Sequence, residues 1–143
     1  MKGEIKVAIK HVPSEFPTIN DALLSSKPCD TIMIDGGVFT NFGSTIIPQN
    51  LNNIRIVGAG IDKTIIDGGS NTDSVGIDVS ASSFITIENL TLKGFEENGV
   101  LVTSNNNVIN KVRVMNTVLP FSNKDGIRIE GNYNMVIDCE SMN

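Results

Sequence analysis

Two charged residues, Asp78 and Arg128, occupy the same place in a repeated sequence motif. Each stands two positions after a glycine and between two aliphatic residues, in Gly76-Ile77-Asp78-Val79 and Gly126-Ile127-Arg128-Ile129. Strands would turn both side chains outward on one face, two coils or about 10 Å apart. The planar guanidinium group of an arginine can donate two hydrogen bonds to a carboxylate, and an aspartate accepts hydrogen bonds from hydroxyl groups. The two residues are therefore a candidate binding site, and solvated surface charge is the competing interpretation.

The other residues whose side chains could act in catalysis or bind a metal ion do not form a recognisable pattern. His11 has no motif that links it to a serine or cysteine nucleophile. Glu96 and Glu97 are adjacent in an expected loop, whereas glycoside hydrolysis needs two carboxylates that flank the scissile bond. Four aspartates beside glycine or asparagine offer oxygens to Ca²⁺ without the spacing of a calcium loop: Asp67, Asp73, Asp125 and Asp138. We therefore predict turn-forming aspartates, no metal site and no cofactor.

A repeat aligned on Gly76, Gly99 and Gly126 defines the elements that would position Asp78 and Arg128. The glycines lie 23 and 27 residues apart, and each begins a short apolar run followed by a polar tract rich in serine or asparagine. Repeats made of strands bury their apolar side only by stacking on one another. The sequence therefore predicts an all-β strand solenoid with Leu101 between Asp78 and Arg128 on the outer surface.

An earlier coil is predicted from Ile46 and Ile54, which keep the eight-residue offset of Ile77 and Ile85. The predicted total is about four coils, the last one incomplete. The inward positions would form aliphatic columns that stack from coil to coil: Ile77 and Val79, Val100 and Val102, Ile127 and Ile129. Asparagine and serine suit the corners, where stacked asparagine amides bond one another. Asn89, within a glycosylation-like tripeptide, is interpreted as such a corner.

The N-terminal residues are predicted to cap this solenoid. Ile5, Val7 and Ile9 alternate with charged or small residues, as in a half-buried strand. A Thr-x-x-Asp capping signature behind a proline predicts a helix over residues 17–26. An open solenoid exposes unpaired strand edges at its ends, so this helix is expected to cover the first coil.

The whole chain is predicted to be a single domain over residues 1–143. Strand and cap helix would occupy residues 1–30, and the coils residues 31–143. We expect the N-terminal part of a longer solenoid, because no second cap is recognisable in the sequence. Its C-terminal edge would be covered by further coils, another domain or an oligomer partner.

The composition argues against two classes of partner. The net charge is −5 and the pI about 4.7, and the lysines and arginines form no stripe that could follow phosphates. Nucleic acid is therefore not an expected partner. No apolar run approaches the ~18 residues that can span a bilayer. The only two cysteines, Cys29 and Cys139, predict no disulfide framework, and we expect both to be buried as small apolar residues.

Several segments together resemble the pectate-lyase-like superfamily, which includes pectin methylesterases. They are Phe16-Pro17-Thr18-Ile19-x-x-Ala22-Leu23, Asp30-Thr31-Ile32-x-Ile34-x-x-Gly37-x-Phe39, Asn53-Ile54-x-Ile56-x-Gly58-x-Gly60 and Lys63-Thr64-Ile65-Ile66-Asp67-Gly68. The resemblance covers roughly residues 13–143 and implies a right-handed single-stranded parallel β-helix with a short N-terminal capping helix. One departure is Cys29, where similar sequences commonly place a glycine.

The resemblance also implies a function in which polysaccharide is the partner. Asp78 and Arg128 would then contact sugar hydroxyls or uronate carboxylates. Members that act on pectin place acids and an arginine on the outer face of later coils, so no complete catalytic site is expected here and enzymatic activity stays open. An extracellular, cell-surface or virion-surface location would be in keeping with the resemblance. The alternative is a structural or adhesive segment of a surface or spike protein.

Overall fold

The computed structural model describes residues 4, 6–40, 42–71, 75–115 and 125–142. These residues form one helix, α1 (Ile19–Leu24), and thirteen strands. The strands are β1 (Ile9–Val12), β2 (Thr31–Ile34), β3 (Gly37–Phe39), β4 (Thr45–Ile46), β5 (Arg55–Val57), β6 (Thr64–Asn71), β7 (Ile77–Val79), β8 (Thr86–Phe95), β9 (Val100–Val102), β10 (Val108–Met115), β11 (Ile127–Ile129), β12 (Met135–Ile137) and β13 (Glu140–Met142). The predominance of strands confirms the all-β prediction.

The strands pair in parallel and stack as three faces of a solenoid. The first face contains β1, β2, β5, the first halves of β8 and β10, and β12. The second face contains β3, β6, the second halves of β8 and β10, and β13. The third face contains β4, β7, β9 and β11. The chain makes about five turns, whereas the sequence predicted about four, because strands β2 and β3 precede the first coil that was counted, which began at Ile46.

The inward residues of the third face have the register that the glycine repeat predicts. Ile77 pairs with Val100, and Val79 pairs with Val102. All four side chains are fully buried. The last turn continues the register, but Ile129 is 36% exposed because no described residue stacks on it.

The coil predicted from Ile46 exists, but its alignment was wrong by one residue. Thr45, not Ile46, pairs with Ile77, so Ile46 lies opposite Asp78 on the outside. Ile46 is 60% exposed, whereas Ile47 is fully buried. Since side chains alternate along a strand, a shift of one residue moves every side chain to the other side. The turn after β4 is one residue longer than the turn after β7, and this length difference was not recognised.

The opening strand also differs from the prediction. Strand β1 begins at Ile9, and Val7 and Ile9 are exposed while Val12 is fully buried. Ile5 lies outside the described residues. Lys10 takes an inward register position opposite Ile32, and its ammonium group lies 5.1 Å from the centre of the Phe16 ring. The inward register therefore falls on Lys10 and Val12, and not on Ile9, which the alternation placed inward.

Helix α1 covers the N-terminal end of the solenoid, as predicted, although it is shorter than residues 17–26. The Thr18 side chain accepts a hydrogen bond from the Asp21 amide, and the Asp21 carboxylate accepts one from the Thr18 amide, which completes a capping box. Asn20 donates to the Ser44 carbonyl at 2.8 Å and accepts from the Ile46 amide at 3.1 Å. This side chain thus bonds the edge of β4 as a neighbouring strand would.

The bend between the first and second faces uses left-handed backbone. Asn89 (φ +59°), Lys111 (φ +51°) and Asp138 (φ +49°) occupy equivalent positions in successive turns. The interpretation of Asn89 as a corner is confirmed, and Asp138 also lies in a turn. Asp67 instead lies within β6, opposite Lys93 of β8, and Asp73 lies outside the described residues.

Asparagine side chains join successive turns inside the solenoid, as the sequence suggested. The Asn107 amide nitrogen Nδ2 donates to Asn134 Oδ1 at 3.0 Å, and Asn134 Oδ1 also accepts from the Asn107 backbone amide at 2.8 Å. Asn107 Oδ1 accepts from the Ile85 backbone amide one turn earlier at 2.9 Å. In the same way, Asp30 Oδ1 accepts a hydrogen bond from the Ala8 backbone amide at 2.9 Å. These contacts satisfy main-chain donors where the turns leave the strand ladder.

The corrected register can be tested with a pair of adjacent substitutions. Ile47→Ala is expected to lower the free energy of unfolding by about 2–5 kcal/mol, because it opens a cavity in the core. Ile46→Ala removes an exposed side chain and is expected to change that free energy by less than about 0.5 kcal/mol. Chemical denaturation of both variants measures the difference. A larger loss for Ile46→Ala would restore the alignment that the sequence suggested.

The asparagine contacts predict a second difference in stability. Asn107→Ala is expected to cost about 1–3 kcal/mol of unfolding free energy, because the Ile85 amide loses its acceptor in a buried position. The control is Asn105→Ala, since exposed Asn105 accepts from the Asn132 amide where water can replace it. Equal unfolding free energies for the two variants would contradict a specific structural role for Asn107.

Candidate functional site

The outward column of the third face contains both residues that the sequence singled out. Strand pairing joins Asp78 to Leu101 and Leu101 to Arg128. Ile46 precedes Asp78 in the same column. Asp78 and Leu101 are half-buried, and Arg128 is exposed. The two charged residues therefore share a face and lie two rungs apart along the solenoid axis, as predicted.

Glycines allow the chain to enter the third face in close contact with the following turn or with the second face. A Cβ atom on Gly76 would lie 2.4 Å from the Gly99 carbonyl oxygen. A Cβ atom on Gly99 would lie 2.3 Å from a Val114 methyl group, and one on Gly126 would lie 2.2 Å from Ser141 Oγ. Because such contacts are far inside van der Waals distance, these positions favour glycine. The repeated glycine thus fixes the height at which each outward side chain sits.

Asp78 and Arg128 each bind a neighbour in their own strand segment. The Ser80 hydroxyl donates to the Asp78 carboxylate. The Arg128 guanidinium forms an ion pair with Glu130 at 2.7 Å. The sequence interpretation missed Ser80 and Glu130, although both lie two residues further along and therefore point to the same side of a strand. The positive charge of Arg128 is compensated locally, not by Asp78.

Ion pairs elsewhere on the surface connect different strands. Arg55 of β5 pairs with Glu88 of β8, and Lys93 of β8 pairs with Asp67 of β6 at 3.5 Å. Arg113 of β10 bonds Glu140 of β13 at 2.7 Å. These pairs fasten one turn to the next, which the contacts of Asp78 and Arg128 do not do.

Arg113 of the second face bonds two carboxylates. Its guanidinium bonds Glu140 on one side and Asp62, in the loop before β6, on the other. Hydrogen bonds to Glu140 and then Asp62 raise the pKa of Arg113 above its ordinary value. The arginine joins three turns of the solenoid.

The described residues contain no group of three or more histidine, cysteine or acidic side chains arranged to hold a metal ion. His11 is on the first face, where its backbone amide donates to the Glu15 carboxylate at 2.9 Å.

Cys29 is exposed, which contradicts its predicted burial, whereas Cys139 packs partly against the core. Neither cysteine is in a disulfide. No helix among the described residues has the length and apolar character needed to cross a membrane.

The local pairing on the third face predicts a contrast between two double-mutant cycles. Arg128→Ala combined with Glu130→Ala is expected to show a coupling of roughly 0.2–1 kcal/mol in unfolding free energy, as exposed ion pairs do. Arg128→Ala combined with Asp78→Ala is expected to be additive within about 0.3–0.5 kcal/mol, because the residues are two rungs apart. Urea denaturation of the single and double variants measures both. Stronger coupling between Asp78 and Arg128 would contradict this geometry.

Comparison of the sequence with protein-family models and with curated proteins gives no match. The fold is therefore established by the parallel pairing itself. The resemblance to the pectate-lyase-like superfamily stays a prediction drawn from the sequence segments that suggested it.

Proposed function

We propose that this chain is a polysaccharide-binding β-solenoid module whose third face contacts the glycan. The observation that carries the proposal is the column of Asp78, Leu101 and Arg128, in which the charged side chains bond Ser80 and Glu130 of their own turns and, among the described residues, no side chain of another turn. Their exchangeable hydrogen bonds to Ser80 and Glu130 leave them available to a ligand without loss of the fold. The sequence resemblance to polysaccharide-acting solenoids supports the same conclusion.

A neutral glycan fits the chemistry of this face better than a polyuronate. Glu130 already compensates the charge of Arg128, and the chain carries a net charge of −5 that repels polyanions. Asp78 and Glu130 accept hydrogen bonds from sugar hydroxyls, and Arg128 donates to them. Leu101 lies between the charged residues and offers an apolar contact for the ring face of a sugar. The proposal is binding, and no catalytic step is assigned.

A structural or adhesive role is the second candidate, and a separate observation favours it. Val136 faces the solenoid interior by its register opposite Ile109, yet it is 48% exposed. Ile129 on the third face also faces the interior by its register and is also partly exposed. A parallel strand from further residues of the polypeptide, another domain or a second copy would bury both. Sedimentation at increasing concentration tests the second copy, and a monomer at all concentrations would contradict it.

The binding proposal predicts the effect of removing the two charged side chains of the third face. Asp78→Ala combined with Arg128→Ala is expected to weaken binding of neutral oligosaccharides by about 10-fold or more, because truncation of hydrogen-bonding charged groups at an interface costs more than about 1.4 kcal/mol. Isothermal titration calorimetry with neutral glucans, mannans and polygalacturonate measures the affinity.

The matched control removes one acid and one base from the second face. Asp67→Ala combined with Lys93→Ala leaves the net charge unchanged, as the test variant does, and is expected to retain affinity. Absence of binding to every glycan would overturn the proposed function. Equal losses in the test and control variants would overturn the assignment to the third face.

A further inference from the structure

The corner that leads into the first face presents one exposed residue from each of five successive turns. These residues are Cys29, Asn53, Phe84, Asn106 and Tyr133, and we call them the corner strip. All five have left-handed backbone, with φ between +57° and +78°. The strand pairings that follow place them at equivalent positions of successive turns. The strip therefore runs parallel to the solenoid axis.

Three members of the corner strip, Cys29, Phe84 and Tyr133, are residue types that left-handed backbone disfavours. Asparagine, present at positions 53 and 106, is among the few residues that tolerate a left-handed conformation. Phe84 and Tyr133 adopt it although a Cβ atom crowds the following carbonyl oxygen in that conformation. Their side chains are also 55% and 85% exposed. Backbone strain and exposed aromatic surface at one position are not explained by folding, and such outliers cluster at binding sites.

The spacing of the two aromatic residues matches a linear polymer of rings. Phe84, Asn106 and Tyr133 belong to three consecutive turns, so the aromatic residues lie two rungs or about 10 Å apart. This is similar to the length of a disaccharide unit in an extended pyranose chain. The amide side chain of exposed Asn106 lies between them. An aromatic, an amide and a second aromatic side chain thus follow one another along the axis at about the pitch of sugar residues.

The main chain beneath these residues is held by hydrogen bonds on its inner side. The Asn106 amide donates to the Asn132 carbonyl at 3.1 Å. Asn107, the next residue, binds both the Ile85 amide and Asn134. Residues 85, 107 and 134 directly follow the three members of the strip. The asparagine contacts inside the solenoid therefore fix the positions from which the outer side chains project, which lowers the entropic cost of binding.

We propose that Phe84, Asn106 and Tyr133 bind an extended neutral glycan that lies along the corner strip. The rings of Phe84 and Tyr133 stack on the apolar faces of alternate sugars, and the Asn106 amide bonds the hydroxyl groups of the sugar between them. This inference deepens the proposed function by naming a ligand class and a site. The turns that contain residues 80–83 and 103–105 connect this site to the third face, and the two surfaces are tested separately.

Charge favours a neutral glycan over a nucleic acid on the same rings. Bases of a single strand also stack on aromatic side chains, but such proteins provide a positively charged groove for the phosphates. The chain carries a net charge of −5, and Arg55, which follows the strip member Asn53 by two residues, is paired with Glu88. A single-stranded oligonucleotide therefore serves as the competing ligand in the test.

The sequence supplies a direct spectroscopic probe, because Tyr133 is the only tyrosine and there is no tryptophan. Addition of neutral β-linked hexasaccharides of glucose, mannose or N-acetylglucosamine is expected to change the emission of Tyr133. The variant Phe84→Asn/Tyr133→Asn is expected to bind the active hexasaccharide about 10-fold or more weakly by calorimetry. Its melting temperature is expected to equal or exceed that of the unmodified protein, because asparagine suits left-handed backbone.

The matched control is Leu24→Gln/Val38→Thr, which removes two exposed apolar side chains from α1 and the second face. This control is expected to retain full affinity. A hexasaccharide that binds the aromatic variant as tightly as the unmodified protein overturns the corner site while leaving the proposed function intact. Failure of every glycan to bind overturns both. Tyr133 emission that responds to oligo(dT), or to protein concentration, but not to glycans overturns the glycan assignment in favour of nucleic acid or a second copy.

Discussion

Parallel main-chain pairing between successive turns is the constraint on which the rest of the structure depends. Each turn must return its backbone to the same three faces, because the hydrogen bonds that hold it run along the axis to the turns on either side. Equivalent inward residues then stack directly on one another, as Ile32, Ile56 and Ile87 do on the first face. The apolar core is a consequence of this register, and its continuity explains why a single slipped residue would expose a whole strand.

The corners meet the same constraint in a different way. Glycine precedes β7, β9 and β11 of the third face because the chain passes too close to its neighbours for a Cβ atom. The corner strip and the bend at Asn89 instead use left-handed backbone with side chains present. Where a turn leaves the strand ladder, Asp30, Asn107 and Asn134 bond the main-chain donors that no strand pairs. The polar tracts between strands are therefore structural on the inside, while their outer side chains remain free to vary.

This division separates residues that hold the solenoid together from residues that can serve a ligand. Arg113, Arg55 and Lys93 connect neighbouring turns through ion pairs. The side chains of Asp78 and Arg128 bond Ser80 and Glu130 of their own strand segments, and Phe84 and Tyr133 oppose the backbone preference of their positions. Both proposed surfaces consist of residues that can contact a ligand without holding the solenoid together. A fold that repeats along one axis supplies such side chains at regular intervals, which suits a ligand that is itself a repeating polymer.

The sequence by itself determined the parts of this protein that depend on local pattern. The glycine-aligned repeat gave the third-face register and the common face of Asp78 and Arg128, and the capping signature located α1. Only the tertiary structure decided how turns of unequal length align, which is why Ile46 was placed inward and one turn was not counted. It also decided which corners coincide, and so brought Phe84 and Tyr133 into one strip although 49 residues separate them in sequence. The physical reason is that a period of two fixes which side of a strand a residue faces, whereas stacking between turns depends on loop lengths and main-chain hydrogen bonds that the local pattern does not contain.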